Sequence, residues 1–193
     1  MRPAGFDEFD VRTSRTTIHG VRGGSGPPVL LLHGIPETHL MWHRVAPALA
    51  VRFTVVATDL GGYGASGKPP SAPDHAPYRM RALAQDQAEA MAALGFDRFA
   101  VVGHDRGARC AYRMALDHPD TVSHLAVLDV VRRITCPTLV LWSATGPVAQ
   151  WYDPLGIWRA WATDVRGRAI DAGHFLPEEA PGETLHDLVE LLT

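Results

Sequence analysis

Five short, nearly continuous apolar runs restrict the fold of this chain more than any other feature of its sequence. They occupy residues 29–32, 53–57, 99–102, 125–128 and 139–142. Runs that are apolar on both faces are typical of central parallel strands covered on both sides. Segments 78–94, 108–116 and 183–192 each carry apolar residues on one helical face. This alternation predicts an α/β fold, with a mostly parallel sheet and helices on both faces.

Two regions stand apart from this regular pattern. Segments 6–11 and 16–21 are strand-like and predict an opening hairpin. Near the middle of the chain, the run at 125–128 is predicted to continue as a strand to residue 130, and residues 134–137 are predicted to open the next strand. Only residues 131–133 then separate the two. Parallel neighbours need a crossover of about a dozen residues or more. We therefore expect either that a segment is missing here or that the two strands are not parallel neighbours.

Composition narrows the class of protein. The 193 residues suffice for a single domain spanning 1–193. The formal net charge of −3 gives no reason to expect nucleic acid or an anionic membrane as a partner. No apolar run approaches the length of a membrane span, and the N-terminus lacks the apolar stretch of a secretory signal. Cys110 and Cys136 have no metal-ligand spacing and are interpreted as reduced, buried thiols, so we expect a cytoplasmic protein.

The strongest functional motif is the sequence GHDRGAR at 103–109, which follows a buried strand and precedes a helix. It matches the G-x-nucleophile-x-G elbow of α/β hydrolases, with Asp105 in place of serine. A carboxylate at a helix N-terminus is stabilised by the helix dipole and can displace a leaving group from carbon to form an ester. The structural alternative is that Asp105 merely caps the helix.

Three further positions complete a candidate catalytic site. His174 follows a short strand near the C-terminus, where this type of fold carries its general base. The backbone N–H groups of Ile35 and Arg106 are expected to form the oxyanion hole. Asp129 ends a core strand and is the favoured orienting acid. The rival acid, Asp153, is interpreted instead as the N-cap of a helix.

These motifs resemble those of the fluoroacetate (haloacetate) dehalogenases of the α/β-hydrolase superfamily, along nearly the whole chain. The matching segments are HGIPE at 33–37, MWHRVAP at 41–47, DLGGYGAS at 59–66, GHDRGAR at 103–109, AVLD at 126–129 and GHFLP at 173–177. The resemblance implies Asp105 as nucleophile, Asp129 as acid and His174 as base. It also implies that Arg106 and Arg109 hold the substrate carboxylate, a role suited to arginines on one helical turn.

The chain departs from this family at the short junction. The relatives insert a helical cap domain there, so the resemblance implies that the cap is missing near 130–134. No residue can be assigned to the halide pocket that the cap helps to form. Trp151 and Tyr152 receive no role, and Trp158 and Trp161 are interpreted as core residues of one helix. We expect weak defluorination and an exposed apolar patch that favours a homodimer.

The leading interpretation is a haloacid dehalogenase that acts on a small-molecule haloacid and water. Neither a cofactor nor a metal is expected. An epoxide hydrolase is the alternative enzyme, although the pair Arg106 and Arg109 favours a carboxylate substrate. An ordinary esterase is disfavoured, because attack by Asp105 on an ester would give an anhydride. From another class, the chain could be a catalytically silent scaffold or binding domain.

Overall fold

The fold is built on one eight-stranded sheet. The computed structural model describes residues 3–71, 73–128 and 134–193. The strands are β1 (Phe6–Arg12), β2 (Thr17–Gly23), β3 (Pro28–Leu32), β4 (Thr54–Thr58), β5 (Phe99–His104), β6 (Val122–Leu128), β7 (Thr138–Ser143) and β8 (Val165–Ile170). Their order across the sheet is β1-β2-β4-β3-β5-β6-β7-β8. β1 and β2 form the predicted antiparallel hairpin, β2 is antiparallel to β4, and the remaining neighbours are parallel.

Helices of very different lengths connect these strands. Two 3₁₀ helices cover His39–Arg44 and Ala76–Tyr78. The α-helices are α1 (Ala46–Leu49), α2 (Met80–Ala93), α3 (Arg106–Asp117), α4 (Pro147–Trp151), α5 (Pro154–Arg159), α6 (Leu176–Glu179) and α7 (Pro181–Leu192). The three helices longer than ten residues, α2, α3 and α7, correspond to the amphipathic segments predicted from sequence. Among the described residues, no helix has the length and apolar character needed to cross a bilayer.

The sheet separates two apolar layers, which explains the continuous apolar runs. Along β3, Leu31 faces the layer that contains Trp42 and Leu188, whereas Leu30 faces the layer that contains Leu83. Successive side chains of a strand point to opposite faces, so a strand covered on both faces needs apolar residues throughout. Full burial of each such side chain contributes about 1.5–3 kcal/mol before the entropy of ordering is counted. The predicted α/β class is confirmed.

The junction between β6 and β7 differs from the sequence-based expectation. The two strands are parallel neighbours, with Leu125 opposite Thr138 and Leu128 opposite Leu141. The interpretation that they are not parallel neighbours is therefore wrong. β7 begins at Thr138, later than predicted. Nine residues of the sequence, 129–137, lie between Leu128, the last described residue of β6, and the start of β7. The four-residue ladder is about 13 Å long, and nine residues reach about 30 Å when extended, which is enough to return along the ladder.

Two predictions about buried side chains need correction. Trp158 is a buried residue of α5, but Trp161 lies beyond the end of that helix and is half-buried. Cys110 is fully buried, and burial raises the pKa of its thiol. Cys136 is half-buried rather than buried, and burial raises the pKa of its thiol to about 11. Both cysteines are free thiols, so neither closes a disulfide.

Candidate active site

The elbow predicted from the GHDRG motif is present between β5 and α3. Asp105 has φ 47° and ψ −109°, outside the regions that non-glycine residues normally occupy. A Cβ atom on Gly103 would lie 2.4 Å from the Gly107 carbonyl carbon. A Cβ atom on Gly107 would lie 2.3 Å from the Leu32 carbonyl oxygen, at the end of β3. The motif therefore needs glycine at both positions. The close contact of Gly107 with Leu32 places the elbow against the carboxyl end of β3.

We expect Gly107→Ala to destabilise the protein by about 3–5 kcal/mol, because the added methyl group meets rigid backbone of β3. Gly182→Ala is the matched control, because Gly182 is likewise the second residue of a helix and has no atom within 4 Å of an added Cβ. That control should be neutral or stabilising by about 0.5–1 kcal/mol. Urea unfolding of both variants measures the difference, and equal effects would contradict the close contact.

The side chain of Asp105 does not cap the helix that it precedes. It accepts no hydrogen bond from the N–H groups of the first turn of α3. Its Oδ2 instead accepts a hydrogen bond from the Ile35 N–H at 3.0 Å. Ile35 lies in the loop after β3, so one of the two predicted oxyanion donors is directly beside the carboxylate. The contact argues against a purely capping role, and backbone strain of this kind clusters at functional sites.

The buried His104 and the half-buried Glu37 form a pair that joins the loops around Asp105. Glu37 Oε2 accepts the Gly34 N–H at 3.1 Å and lies 3.2 Å from His104 Nδ1. On the other side of the ring, His104 Nε2 donates to the His174 carbonyl oxygen at 3.1 Å. Both partners of the imidazole can accept a hydrogen bond, which favours the ring form with a proton on each nitrogen. Burial alone would lower the pKa of His104, but Glu37, the His174 carbonyl and the charge of Asp105 raise it.

His33 is a second buried histidine beside the site, and its partners favour the opposite protonation state. Its Nε2 accepts the Leu60 N–H at 3.0 Å, and its Nδ1 donates to the Gly34 carbonyl oxygen at 2.8 Å. One donor and one acceptor suit the neutral ring. Burial is the main cause that lowers the pKa of His33. The hydrogen-bond partners therefore favour a charged ring for His104 and a neutral ring for His33, side by side in the site.

The charged pair predicts a pH dependence of stability. Because the folded pKa of His104 is raised, its stabilisation is complete below the unfolded pKa of about 6.5 and is lost as the pH rises through the folded value. Urea unfolding between about pH 6 and pH 9 should show this loss in the wild type. Glu37→Gln removes the charge that raises the pKa, so the loss should be smaller in that variant. Identical pH profiles of the two proteins would contradict the charged pair.

His174 lies beside the elbow, in a loop that comes from the edge of the sheet. It lies in the loop after β8, and its backbone bond to His104 holds this loop beside the nucleophile. Its ring centroid is 5.2 Å from that of His104 and 5.3 Å from that of Phe175. The side chain is exposed and lines a cavity of about 270 Å³, together with Ser143 and Thr145. The structure thus brings the predicted base to the nucleophile's neighbour.

The two arginines on the first turn of α3 have different surroundings. Arg106 is half-buried, donates from Nη2 to the Tyr78 carbonyl oxygen at 3.3 Å and lies over the Tyr63 ring at 5.9 Å. Its buried Nε has no hydrogen-bond partner among the described residues. Arg109 is exposed and lines a cavity of about 470 Å³ with Tyr112 and Trp158 among its neighbours. Arg106 and Arg109 therefore have separate contacts, and their joint binding of a substrate carboxylate stays a prediction.

Of the two candidate acids, Asp129 and Asp153, only Asp153 lies among the described residues. Asp129 lies outside the described residues, so its role stays a prediction. Asp153 is the N-cap of α5, and its Oδ1 accepts the Gly156 N–H at 3.0 Å. The interpretation of Asp153 as a cap is confirmed.

Sequence reasoning had given no role to Glu37 or His104, although both lie within the motifs used for the resemblance. Their interaction joins positions 67 residues apart, so no local spacing indicates it. The available signal was the position of each residue. Glu37 follows the oxyanion loop, and His104 directly precedes the nucleophile. We interpret both as positioning residues.

The sequence profile of the alpha/beta hydrolase fold matches residues 27–135. A fluoroacetate dehalogenase from Burkholderia sp is 57% identical over 137 residues, which are 71% of this chain and 43% of that protein. A soluble epoxide hydrolase from Corynebacterium sp is 43% identical over 114 residues, which are 59% of this chain and 38% of that protein. The chain thus spans less than half the length of these two relatives.

Solved structures show the same fold over the whole chain. The crystal structure of a candidate alpha/beta hydrolase from Nostoc sp PCC 7120 has a TM-score of 0.95 and 35% sequence identity. The similarity covers 97% of this chain and 98% of that one.

Proposed function

Because the chain belongs to the alpha/beta hydrolase fold family, we propose that it is a hydrolase that cleaves the carbon–halogen bond of small haloacids through an aspartyl ester. The observation that carries this proposal is the carboxylate of Asp105, held on a strained elbow by the Ile35 N–H rather than used as a cap. Similarity to a fluoroacetate dehalogenase supports the substrate class.

In the first step, the Asp105 carboxylate attacks the α-carbon of the haloacid. The new C–O bond forms as the carbon–halogen bond breaks, and the halide leaves with the bonding electrons. The hydrogen bond from Ile35 engages Oδ2, so Oδ1 is the attacking oxygen. No proton is transferred in this step.

In the second step, water hydrolyses the ester. His174 accepts a proton from water, which attacks the carbonyl carbon of the Asp105 ester. The N–H groups of Ile35 and Arg106 stabilise the oxyanion of the tetrahedral intermediate. Its collapse expels the alkoxide of the hydroxy acid, which takes the proton from His174. Asp105 is left as a carboxylic acid, which releases the second proton of the water to solvent and becomes a carboxylate again. Asp129 orients His174 and stabilises its charged form.

The two arginines give the site its preference for an acid. The buried Nε of Arg106 is a donor that no described residue satisfies, and an anionic substrate would satisfy it. Arg109 adds a second positive charge one turn away. Charge-assisted hydrogen bonds contribute about 1.5–3 kcal/mol each when water is excluded. A neutral epoxide would gain no binding energy from these two positive charges. Epoxide hydrolysis is therefore the second candidate function, although an epoxide hydrolase is among the similar proteins.

We propose that the chain is one core domain, 1–193, that lacks a cap insertion near 130–134. The short sequence link 129–137 between β6 and β7 supports this proposal. The exposed fractions of Ile35, Tyr152 and Phe175 are 46%, 59% and 38%, which fits an uncovered apolar surface that pairs in a homodimer. Solvent weakens charge interactions about fourfold relative to a protein surface, so fluoride should leave poorly.

The covalent intermediate can be trapped. His174→Gln removes the base, so the ester on Asp105 should accumulate when the variant is incubated with chloroacetate. Intact-protein mass spectrometry should show the added mass of one carboxymethyl group, and peptide mapping should locate it at Asp105. The wild type should release chloride and show less adduct. Fluoroacetate should react more slowly than chloroacetate.

Asp105→Ala is the control, and it should show neither adduct nor halide release. If the folded wild type gives no halide and the His174→Gln variant gives no adduct, the dehalogenase proposal is wrong. Specific binding of small carboxylates without turnover would then favour a silent binding domain.

A further inference from the structure

A second cluster of titratable side chains lies outside the elbow and takes no part in the proposed reaction. It consists of His19, His39 and Asp59. His19 is in β2, His39 begins the first 3₁₀ helix, and Asp59 directly follows β4. One potential ligand atom from each residue lies within 4.8 Å of the other two. His39 and Asp59 are buried, and His19 is half-buried.

A carboxylate holds Nδ1 of each imidazole in this cluster. Asp59 Oδ1 lies 2.8 Å from His39 Nδ1, and Asp10 Oδ1 lies 3.0 Å from His19 Nδ1. Because a carboxylate accepts hydrogen bonds, Nδ1 of both rings carries the proton. The lone pair of each neutral ring is then on Nε2. Histidines that ligate metals are typically held in this way, with the other ring N–H donated to a carboxylate or carbonyl.

Backbone N–H groups, as well as the His39 ring, hold the carboxylate of Asp59. Its Oδ1 also accepts the His39 N–H at 2.8 Å, and its Oδ2 accepts the Ala65 N–H at 2.8 Å. The carboxylate therefore has a set orientation toward His39, which is the condition for a preorganised site.

His39 carries an unsatisfied buried atom. Its side chain is only 8% exposed. Its Nε2 has no hydrogen-bond partner within the described part of the chain. The ring of His19 lies edge-on to the ring of His39, with the two ring centroids 5.5 Å apart. A buried polar atom without a partner is unfavourable, and a cation bound between the two rings would use both lone pairs.

We propose that His19, His39 and Asp59 form a binding site for a divalent first-row transition metal, with Zn²⁺ as its ligand. Nε2 of His19 and Nε2 of His39 coordinate the ion, and Asp59 holds His39 and balances part of the charge. Imidazole ligands favour Zn²⁺, Cu²⁺ and Ni²⁺, whereas Mg²⁺ and Ca²⁺ prefer oxygen ligands. The partial exposure of His19 leaves a path for the ion to enter.

Sequence reasoning had expected no metal, for a physical reason. The three residues come from separate segments, with consecutive members 20 positions apart, so no short ligand motif is present. Only the pairing of β2 with β4 and the return of the chain through the 3₁₀ helix bring them together. A bound ion would join these three elements and stabilise the folded state.

Equilibrium dialysis of the tag-free, chelator-treated full chain against ZnCl₂, followed by metal analysis, tests the proposal. We expect one Zn²⁺ per chain, no competition by Mg²⁺, and a visible ligand-field spectrum when Co²⁺ is used instead. His19→Gln should weaken Zn²⁺ binding by at least about tenfold. His19 is a strand residue near the surface, so this variant should fold, and circular dichroism would verify it.

His186→Gln is the matched control. His186 lies with Asp187 and Glu190 in a comparable but exposed group on α7, and its replacement should leave Zn²⁺ binding unchanged. The absence of stoichiometric Zn²⁺ binding by the folded wild type would overturn the proposal. Binding that is unchanged in His19→Gln, or lost in His186→Gln, would do the same. None of these measurements depends on halide release.

Discussion

Replacing Asp105 with asparagine should lower the rate of halide release from chloroacetate by at least about 10⁴-fold. Asparagine has nearly the same shape as aspartate and tolerates positive φ better than most residues. The elbow, with φ 47° at this position, should therefore form in the variant. The amide is a far weaker nucleophile than a carboxylate, so displacement at the α-carbon is lost while the fold is retained.

Asp117→Asn serves as the comparison for this variant. Asp117 ends the same helix, α3, at the opposite end from the elbow, and pairs with Arg113 and Arg81. Its replacement should leave the rate within about twofold of wild type, because it touches nothing near the site. Chloride release is followed with an ion-selective electrode. If Asp105→Asn retained more than a tenth of the wild-type rate, Asp105 would not be the nucleophile.

The identity of the orienting acid gives the second large effect. Asp129→Asn is expected to lower turnover by about 10⁴-fold, because an amide stabilises the wrong tautomer of the base and not its charged form. Asp153→Asn should have almost no effect on rate or stability, because asparagine caps helices about as well as aspartate. Steady-state chloride release by both variants, together with urea unfolding, measures both effects.

The opposite result would reassign the acid. A large rate loss in Asp153→Asn alone would show that this residue orients His174, in spite of its bond to the Gly156 N–H. Equal activity of both variants would mean that neither carboxylate orients the base. Unfolding midpoints close to that of the wild type would separate a catalytic effect from a loss of folded protein.

The strands that sequence predicted well are those buried on both faces. β3, β4 and β5 appear as apolar runs because the sheet separates two apolar layers. β8 is different, since Val165–Ile170 alternates half-buried and exposed residues at the edge of the sheet. The short helices α1, α4 and α6 have too few residues for a periodic pattern to emerge. The exact ends of β6 and β7 depend on pairing, which local composition does not determine.

The same distinction applies to the candidate site. The elbow could be predicted because glycine, nucleophile and helix start are neighbours in sequence. The contacts of Glu37 with His104, and of His39 with Asp59, join residues far apart in the chain. Such pairs depend on the register of the sheet, and histidine or glutamate alone does not indicate them. The protonation states of His33 and His104 likewise follow from which neighbours donate and which accept.

The connection between β6 and β7 makes this chain suitable as a modular host for grafted segments. The two strands pair in register with residues 129–137 as their only covalent link. If the proposed loss of the cap is right, the strands align here without a folded insert between them. Lids of different size and chemistry could be spliced into the same link, and each chimera would report how a lid alone changes substrate choice.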